Sequence, residues 1–307
     1  TRFLTAAAIL VDGATTIDGD EWMRKRPIGD LVDALRNLGA KIEFLEKENC
    51  PPLRIFSNGK ISGGKIKIRA DVSSQFLSAI LMIAPLAESE IEIEVAGKLA
   101  SAEYVEITKK VRAKFLRGGK FVATNFAVEP DASSATYFWA AEKLLGAEIE
   151  FENSPVKWMQ PDAAAREIIS QFPNLPAEIS GAKFPDAVPT LAVLAAFSGR
   201  EILFTGIANL RVKECDRIRA LAENLNKIKS GLAEEVGDDL RIFGDENLAE
   251  NSSGAEIETF DDHRIAMSFA LAGLRSPGIK IDNPNCVAKS FPNFWEIWEW
   301  LGVKFLK

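Results

Sequence analysis

Histidine is nearly missing from this sequence: His263 is the only one in 307 residues. That excludes a His-rich metal site and makes any histidine-based triad depend on a single position. Cysteine is scarce too. Cys50, Cys215 and Cys286 lie far apart, and an odd count without paired spacing fits a reducing compartment rather than a disulfide framework. Neither G-x-x-x-x-G-K-[ST] nor G-x-G-x-x-G occurs, so phosphate binding by a P-loop or a dinucleotide fingerprint is excluded. No apolar run has the length of a membrane span. The opening stretch Thr1 to Ala8 carries neither a basic leader nor a cleavage site, so no signal peptide is read and no membrane partner is expected. Positive charge is in deficit: 37 Lys and Arg face 44 Asp and Glu, a net charge of −7. This argues against a nucleic-acid binder but leaves room for a local basic pocket.

What is present is a globular composition, 47% apolar and 26% charged, in a chain long enough for two domains. A repeat runs through it. One kind of segment begins with an acidic or Ser-containing turn, continues as an Ala/Leu-rich helix apolar on nearly all faces, and ends in a short strand. Asp71-Val72-Ser73-Ser74 leads to the strand Ile91 to Glu94, and Asp131-Ala132-Ser133-Ser134 to Glu148 to Phe151. Pro185-Asp186-Ala187 leads to Glu201 to Phe204, and Asp262-His263-Arg264 to Ile279 to Ile281. Asp and Ser suit helix starts because they accept from the free amides of the first turn, and Gly146, Gly199 and Gly278 sit where the chain leaves each helix. Amphipathic helices alternate with these at Pro27 to Leu38, Tyr104 to Leu116, Pro161 to Phe172, Lys213 to Leu225 and Phe291 to Leu301. This alternation predicts an α/β fold built from βαβαββ-like units. The chain crosses between lobes near Phe126 to Pro130, giving regions 1–127 and 128–307.

Cations recur where they are least expected. Arg26, Lys213, Arg217, Arg264 and Lys289 lie at or beside predicted helix starts, where the helix dipole disfavours positive charge unless an anion also binds. Any one of them alone reads as surface charge; five together point to an anion site. Asp186, Glu214, Asp216 and Asp262 occupy the same turns, and carboxylates beside cations suit proton transfer on anionic substrates. Ser73-Ser74 and Ser133-Ser134 read either as phosphate-binding hydroxyls or as plain helix caps, with capping the better reading of the second pair. His263 reads as a structural histidine or as part of the site. Cys215 and Cys286 read as small buried side chains, and Trp295, Trp298 and Trp300 as packing for the C-terminal helix.

Three longer motifs then carry a resemblance. Asn209-Leu210-Arg211-Val212-Lys213-Glu214-Cys215-Asp216-Arg217 resembles N-x-R-x-K-E-x-D-R. Asp262-His263-Arg264-Ile265-Ala266-Met267 resembles D-H-R-x-A-M, and Cys286-Val287-Ala288-Lys289-Ser290-Phe291-Pro292 resembles C-x-x-K-[ST]-[FY]-P. All three are signatures of the 5-enolpyruvylshikimate-3-phosphate synthases. Arg24 to Gly29, Val72 to Leu77 and Asp131 to Phe138 match further motifs of that family in the same order. The resemblance implies a two-lobed enolpyruvyl transferase fold, an inside-out α/β barrel of βαβαββ units with the site in the cleft. It implies transfer of the carboxyvinyl group of phosphoenolpyruvate to shikimate 3-phosphate with release of phosphate, in chorismate and aromatic amino acid biosynthesis. It also implies no metal, no cofactor, no nucleic acid, a monomer and a cytoplasmic location.

Carried over by position, the resemblance implies Asp186, Glu214 and Lys213 as the catalytic groups. It assigns Ser73, Ser74, Gln75, Ser101, Tyr104, Asp186, Asn209 and Lys213 to shikimate 3-phosphate. It assigns Arg26, Gln75, Arg217, His263, Arg264 and Lys289 to phosphoenolpyruvate. The family's K-S-x-[ST]-x-R segment and Asn-Ala-Gly-Thr loop are not found in the sequence, and Thr1-Arg2 matches the end of that loop. An incomplete first lobe and a chain inactive by itself are therefore expected. Pro130 stands where glycine is usual, and Ala102-Glu103 where Lys-Pro is common. Two other functions compete: UDP-N-acetylglucosamine enolpyruvyl transferase, whose reactive cysteine loop has no counterpart here, and a non-catalytic anion-binding remnant.

Overall fold

The computed structural model describes residues 1–69, 73–97, 99, 102–152, 154–252 and 254–305. Two compact units are present, Thr1–Ala127 and Val128–Lys307.

The first unit contains, in order, α1 (Arg2–Ala8), β1 (Asp12–Ile17), α2 (Gly29–Asn37), β2 (Lys41–Phe44), β3 (Leu53–Asn58), β4 (Gly64–Arg69), α3 (Ser74–Ile83), β5 (Ile91–Ala96), α4 (Ala102–Phe115), β6 (Leu116–Arg117) and β7 (Lys120–Phe121). Strands β1, β3 and β2 form an antiparallel sheet in that spatial order. From β4 onward the order is βαβαββ. β4 and β5 pair in parallel around α3, with Ile66 opposite Ile93, and β6 and β7 close the repeat as an antiparallel hairpin. Period-two alternation sets the faces: Ile66 and Ile68 are buried, while Lys65 and Lys67 point to solvent. The core gathers Leu31, Leu35, Leu53, Phe76 and Ile80.

The second unit contains α5 (Ala132–Leu145), α6 (Ala165–Ser170), β8 (Glu178–Ser180), α7 (Val188–Ala196), β9 (Glu201–Thr205), α8 (Arg217–Ile228), β10 (Ala233–Val236), β11 (Asp239–Phe243), α9 (Leu248–Asn251), β12 (Ala255–Ile257), α10 (His263–Gly273), β13 (Ile279–Ile281) and α11 (Phe294–Trp300). Its β8-α7-β9-α8-β10-β11 segment repeats the same βαβαββ pattern, and the sheet order is β10-β11-β9-β8. β8 and β9 are parallel, as are β12 and β13 around α10. Every residue of α7 is buried, as its uninterrupted apolar sequence predicts. Around it lie Tyr137, Leu194, Phe204, Leu221 and Phe269.

The structure departs from the sequence reading at four places. The expected strand Glu148 to Phe151 is not formed. Ile149 and Phe151 still pack on the core, but the amide of Ile149 donates to Glu142 Oε1 at 2.9 Å instead of to a neighbouring strand. The helix expected from Lys213 begins at Arg217, because Asp216 supplies the cap by accepting from the Arg219 amide at 3.1 Å. The helix expected from Pro161 opens as a 3₁₀ turn over Pro161–Ala164 before α6. Finally, Trp298 is buried and stacks on Phe138, with ring centroids 4.9 Å apart, and Trp295 meets Phe294, but Trp300 is 84% exposed. Two residues along a helix are about 200° apart around its axis, so Trp298 and Trp300 cannot share a face.

Candidate active site

In the second unit the predicted site residues come from four connections of one kind. Asp186 lies between β8 and α7, and Asn209, Lys213 and Glu214 between β9 and α8. Asp262, His263 and Arg264 lie where β12 passes into α10, and Lys289 lies between β13 and α11. Each connection leaves the carboxyl end of a strand and enters the amino end of a helix, the edge where ligands bind in α/β sheets.

Arg217 joins these connections. Its side chain is 1% exposed, and its three nitrogens reach three carboxylates. Nε donates to Asp262 Oδ2 at 2.7 Å, Nη1 to Asp186 Oδ1 at 2.9 Å, and Nη2 to Glu214 Oε2 at 2.9 Å and Asp262 Oδ1 at 3.2 Å. Three further cations surround the same acids. Arg264 Nη2 donates to Asp186 Oδ2 at 3.2 Å, Lys213 Nζ lies 3.5 Å from Asp186 Oδ1, and Lys289 Nζ donates to Glu214 Oε1 at 2.6 Å. A planar guanidinium with several fixed donors suits such multiple pairing, where an ammonium would not. Four cations thus face three carboxylates. Four of the five cations read from sequence as awaiting an anion are already paired with the protein's own acids, with one positive charge left over.

These partners set the protonation states. Burial by itself would raise Asp186, but Arg264, Lys213 and Arg217 outweigh it and hold the carboxyl well below the usual range. Burial likewise opposes, and Arg217 and Lys289 override, in keeping Glu214 ionised. His263 is buried, and burial followed by the Arg264 charge lowers it to about 4 against the opposing pull of Asp262, so it is neutral at pH 7. Cys215 lies with Sγ 3.6 Å from Asp262 Oδ2; burial and then that carboxylate push its thiol up to about 12. Burial first also lifts Cys286, to about 11. Neither is a thiolate near neutrality. Asn209 Oδ1 and His263 Nδ1 are buried and accept no hydrogen bond among the described residues.

In the first unit Ser73 caps α3, its hydroxyl accepting from the Gln75 amide at 3.3 Å, and Ser74 is buried in the first turn. Gln75 Oε1 accepts from Arg2 Nη1 at 2.8 Å. The Arg2 guanidinium stacks 5.2 Å from the centroid of Phe76. Burial, and then the charge of Arg26, lower the Arg2 pKa, which places the two arginines within electrostatic reach of each other. Tyr104 is half-buried near the start of α4, and Ser101 lies outside the described residues. For the second Ser pair, Asp131 is the cap. Its Oδ1 accepts from the Ser133 amide at 3.1 Å and its Oδ2 from the Ser134 hydroxyl at 2.7 Å.

Asp262, read from sequence among the acidic turns but given no substrate role, lies among these groups, and Arg2 and Tyr137, absent from the predicted site, neighbour residues predicted for it. Asp262 is fully buried against Arg217 while also capping α10 through the Arg264 amide; the Asp-His-Arg motif carried that signal. Arg2 orients Gln75, and its only trace in sequence was its place at the end of a matched loop. Tyr137 is buried among Arg264, Arg217 and Asp186, with burial pushing its hydroxyl up to about 12; its place within the matched Asp131 to Phe138 motif was its signal in sequence. Among the described residues, no group of His, Cys, Asp and Glu could hold a metal ion, and no helix is long and apolar enough to cross a membrane.

The family model described as EPSP synthase (3-phosphoshikimate 1-carboxyvinyltransferase) matches residues 1–298. A 3-phosphoshikimate 1-carboxyvinyltransferase of Rhizobium leguminosarum bv. trifolii is 49% identical over 321 residues, covering 99% of this chain and 76% of the relative. The enzyme of the same name from Pseudomonas syringae pv. tomato is 45% identical, covering 99% and 75%. The solved EPSP synthase of Acinetobacter baumannii superposes with a TM-score of 0.78 at 26% identity, covering 99% of this chain and 77% of that one. The chain belongs to the EPSP synthase family and has its enolpyruvyl transferase fold.

Proposed function

We propose that this member of the EPSP synthase family moves the carboxyvinyl group of phosphoenolpyruvate to a ring hydroxyl of shikimate 3-phosphate and releases phosphate. The observation that carries the reading is the Arg217 cluster: two carboxylates suited to proton transfer, each held by cations suited to phosphate and carboxylate. Ser73, Ser74, Gln75, Ser101 and Tyr104 of the first unit are assigned to shikimate 3-phosphate, with Asp186, Asn209 and Lys213 of the second. Arg26 and Gln75 of the first unit and Arg217, His263, Arg264 and Lys289 of the second are assigned to phosphoenolpyruvate. The reading extends to a cytoplasmic monomer that uses no metal and no organic cofactor.

Ion-pair exchange gives the chemistry its order. In the unliganded site Asp186 and Glu214 are too well paired to accept protons. Phosphate and carboxylate groups of the substrate compete for Arg264 and Lys289, and each cation drawn away raises the carboxylate it leaves. Asp186 then takes the hydroxyl proton as oxygen bonds to the enol carbon, while the Lys289 ammonium gives up a proton that passes through Glu214 to the methylene carbon. In the second step the carbon–oxygen bond to phosphate breaks. Phosphate leaves with that electron pair and the Asp186 proton, and the methyl group returns its proton to Glu214 and Lys289. Protons balance over the cycle. The neutral imidazole of His263 offers a hydrogen bond without adding charge.

The test is phosphate release from phosphoenolpyruvate by residues 1–307, alone and with a relative's K-S-x-[ST]-x-R segment added in trans. Release that requires shikimate 3-phosphate, with a carboxyvinyl product seen by mass spectrometry, supports the reading. Release with UDP-N-acetylglucosamine instead, or anion binding without release in either arm, refutes it.

A further inference from the structure

Arg211 takes no part in the proposed chemistry, yet its guanidinium donates to three carboxylates and a backbone carbonyl. It stands in the 3₁₀ turn Ala208–Val212 that leads from β9 toward α8. Nη1 donates to Asp216 Oδ2 and to Glu235 Oε2, each at 2.8 Å, and Nε donates to Asp238 Oδ1 at 2.9 Å. Nη2 donates to the carbonyl of Gly237. Two of these partners, Gly237 and Asp238, form the turn of the β10–β11 hairpin, and Glu235 sits on its first strand.

The placement of Asp216 gives this its meaning. One of its oxygens is held by Arg211, and the other caps α8 by accepting from the Arg219 amide. The first residue of α8 is Arg217. Arg211 therefore ties the start of the loop to its end and fastens both to a hairpin of the four-stranded sheet. Lys213 and Glu214 lie between the two tied points. Besides the pairs that Lys213 and Glu214 make within the Arg217 cluster, the stretch has no regular backbone structure: Val212 is 83% exposed, and Lys213 has neither helical nor sheet geometry, with φ −83° and ψ −145°. Apolar burial anchors the start of the loop, where Leu210 is fully buried, and ion pairs hold the stretch beyond it.

We propose that Arg211 is a positioning residue which closes this loop into a ring and so sets Lys213 and Glu214 against Asp186, Arg217 and Lys289. The proposal rests on the functional reading above for the roles of those groups. A displacement of about 1 Å in a reacting group can cost roughly 10²-fold in rate, so the clamp acts on turnover more than on affinity. Lysine cannot replace arginine here. One ammonium cannot span Asp216, Glu235 and Asp238 in the plane of a fork.

Four variants test this: Arg211→Met, Arg211→Lys, Asp238→Asn and Asp216→Asn. Asparagine caps a helix about as well as aspartate, so Asp216→Asn loosens the clamp while keeping the start of α8. Hydrogen exchange of the amides at 208–216 is followed in the substrate-free chain, with the unfolding midpoint measured alongside. kcat and KM are measured separately in whichever arm of the assay turns over. Faster exchange confined to this loop is expected in all four, with the midpoint nearly unchanged. A kcat loss of roughly 10²-fold is expected for both Arg211 variants, with KM values little moved and smaller losses for Asp216→Asn and Asp238→Asn. Native-like exchange and kcat in Arg211→Met would overturn the proposal. So would a kcat loss matched by destabilisation of the whole second unit, which is the signature of a merely structural arginine. If the unsubstituted chain turns over in neither arm, the functional reading fails by itself, and loop exchange still decides whether the clamp exists.

Discussion

The two units use charge in opposite ways. In the first, pairs on the surface are typical of those seen among the described residues: Lys65–Glu92 and Lys67–Glu94 line the outer face of β4 and β5, and Arg24 pairs with Asp18 and Glu46 near solvent. In the second, one buried arginine gathers Asp186, Glu214 and Asp262 at the convergence of strand ends and helix starts. Surface pairs are screened and add little to stability. Buried ones are costly to assemble and costly to break. The difference teaches where function can be stored. Only the second arrangement holds protonation states far from their solution values and can release them when another anion arrives.

The sharpest way to break the comparison is through turnover. Asp186→Asn and Glu214→Gln each remove a proton acceptor while keeping shape, and each is expected to lower kcat by roughly 10²–10⁴-fold with much smaller changes in substrate binding. Near-native kcat in either variant would withdraw that residue from proton transfer. Next is Arg217→Met, which leaves three carboxylates facing one another without their shared cation. A loss of about 3–5 kcal/mol is expected, read from denaturant unfolding followed by tryptophan fluorescence. That signal reports the second unit, which holds Trp139, Trp158, Trp295, Trp298 and Trp300, whereas the first holds Trp22. An unchanged midpoint would mean that the cluster is solvated and resembles the surface pairs after all.

The pH dependence separates the units again. His263 has an ordinary unfolded pKa of about 6.5 and a folded value of about 4. The folded chain therefore binds fewer protons between those values, and stability rises with pH across that window. The contribution is fully present above pH 6.5 and is lost as pH falls toward 4, on the order of 3 kcal/mol at most. Asp186 and Glu214, held lower still, lose their contribution only in stronger acid. Exchange protection in the second unit should thus weaken between pH 6.5 and 4, while the first unit, which has no histidine, shows no such step. His263→Asn should flatten the curve in the second unit. Persistence of the slope in that variant would assign it to other groups.

Much of this was legible in the sequence because it is local. The βαβαββ pattern follows from periodicity and turn residues, and the approximate positions of α3, α5, α7 and α10 followed from apolar runs behind acidic or Ser-containing turns. The residues proposed for the site came from its motifs. Its wiring was not legible, because wiring is tertiary. Helix starts rich in arginine suggested a waiting anion, but only folding shows that Asp186 and Asp262, 76 residues apart by number, meet on one guanidinium. Glu148 to Phe151 alternates as a strand should, yet a strand requires a partner, and Glu142 takes the Ile149 amide first. Lys213 was read as the opening of a helix because charge and apolar spacing run unbroken through it; the cap at Asp216 moves the start to Arg217.

The smallest effect is expected where the first unit is most densely charged. Lys65 stands directly opposite Glu92 in the β4–β5 register, and Lys67 opposite Glu94, with Nζ–O distances of 3.1 and 3.3 Å. By distance alone these pairs rival those of the active-site cluster. Solvent is what separates them, since all four side chains are more than half-exposed or close to it. In water the Coulomb attraction is weak, and holding two long side chains in one geometry offsets part of it. Beneath them Ile66 and Ile68 are buried and hold the strand whether or not the lysines are present. Lys65→Gln should therefore move the stability of the first unit by no more than about 0.5 kcal/mol. That change should disappear in 1 M salt, where charges are screened within about 3 Å. Exchange protection of the β4 amides at low and high salt measures it directly. A loss as large as that of Arg217→Met would show that distance, not burial, governs the energy of these pairs, and the contrast between the units would fall with it.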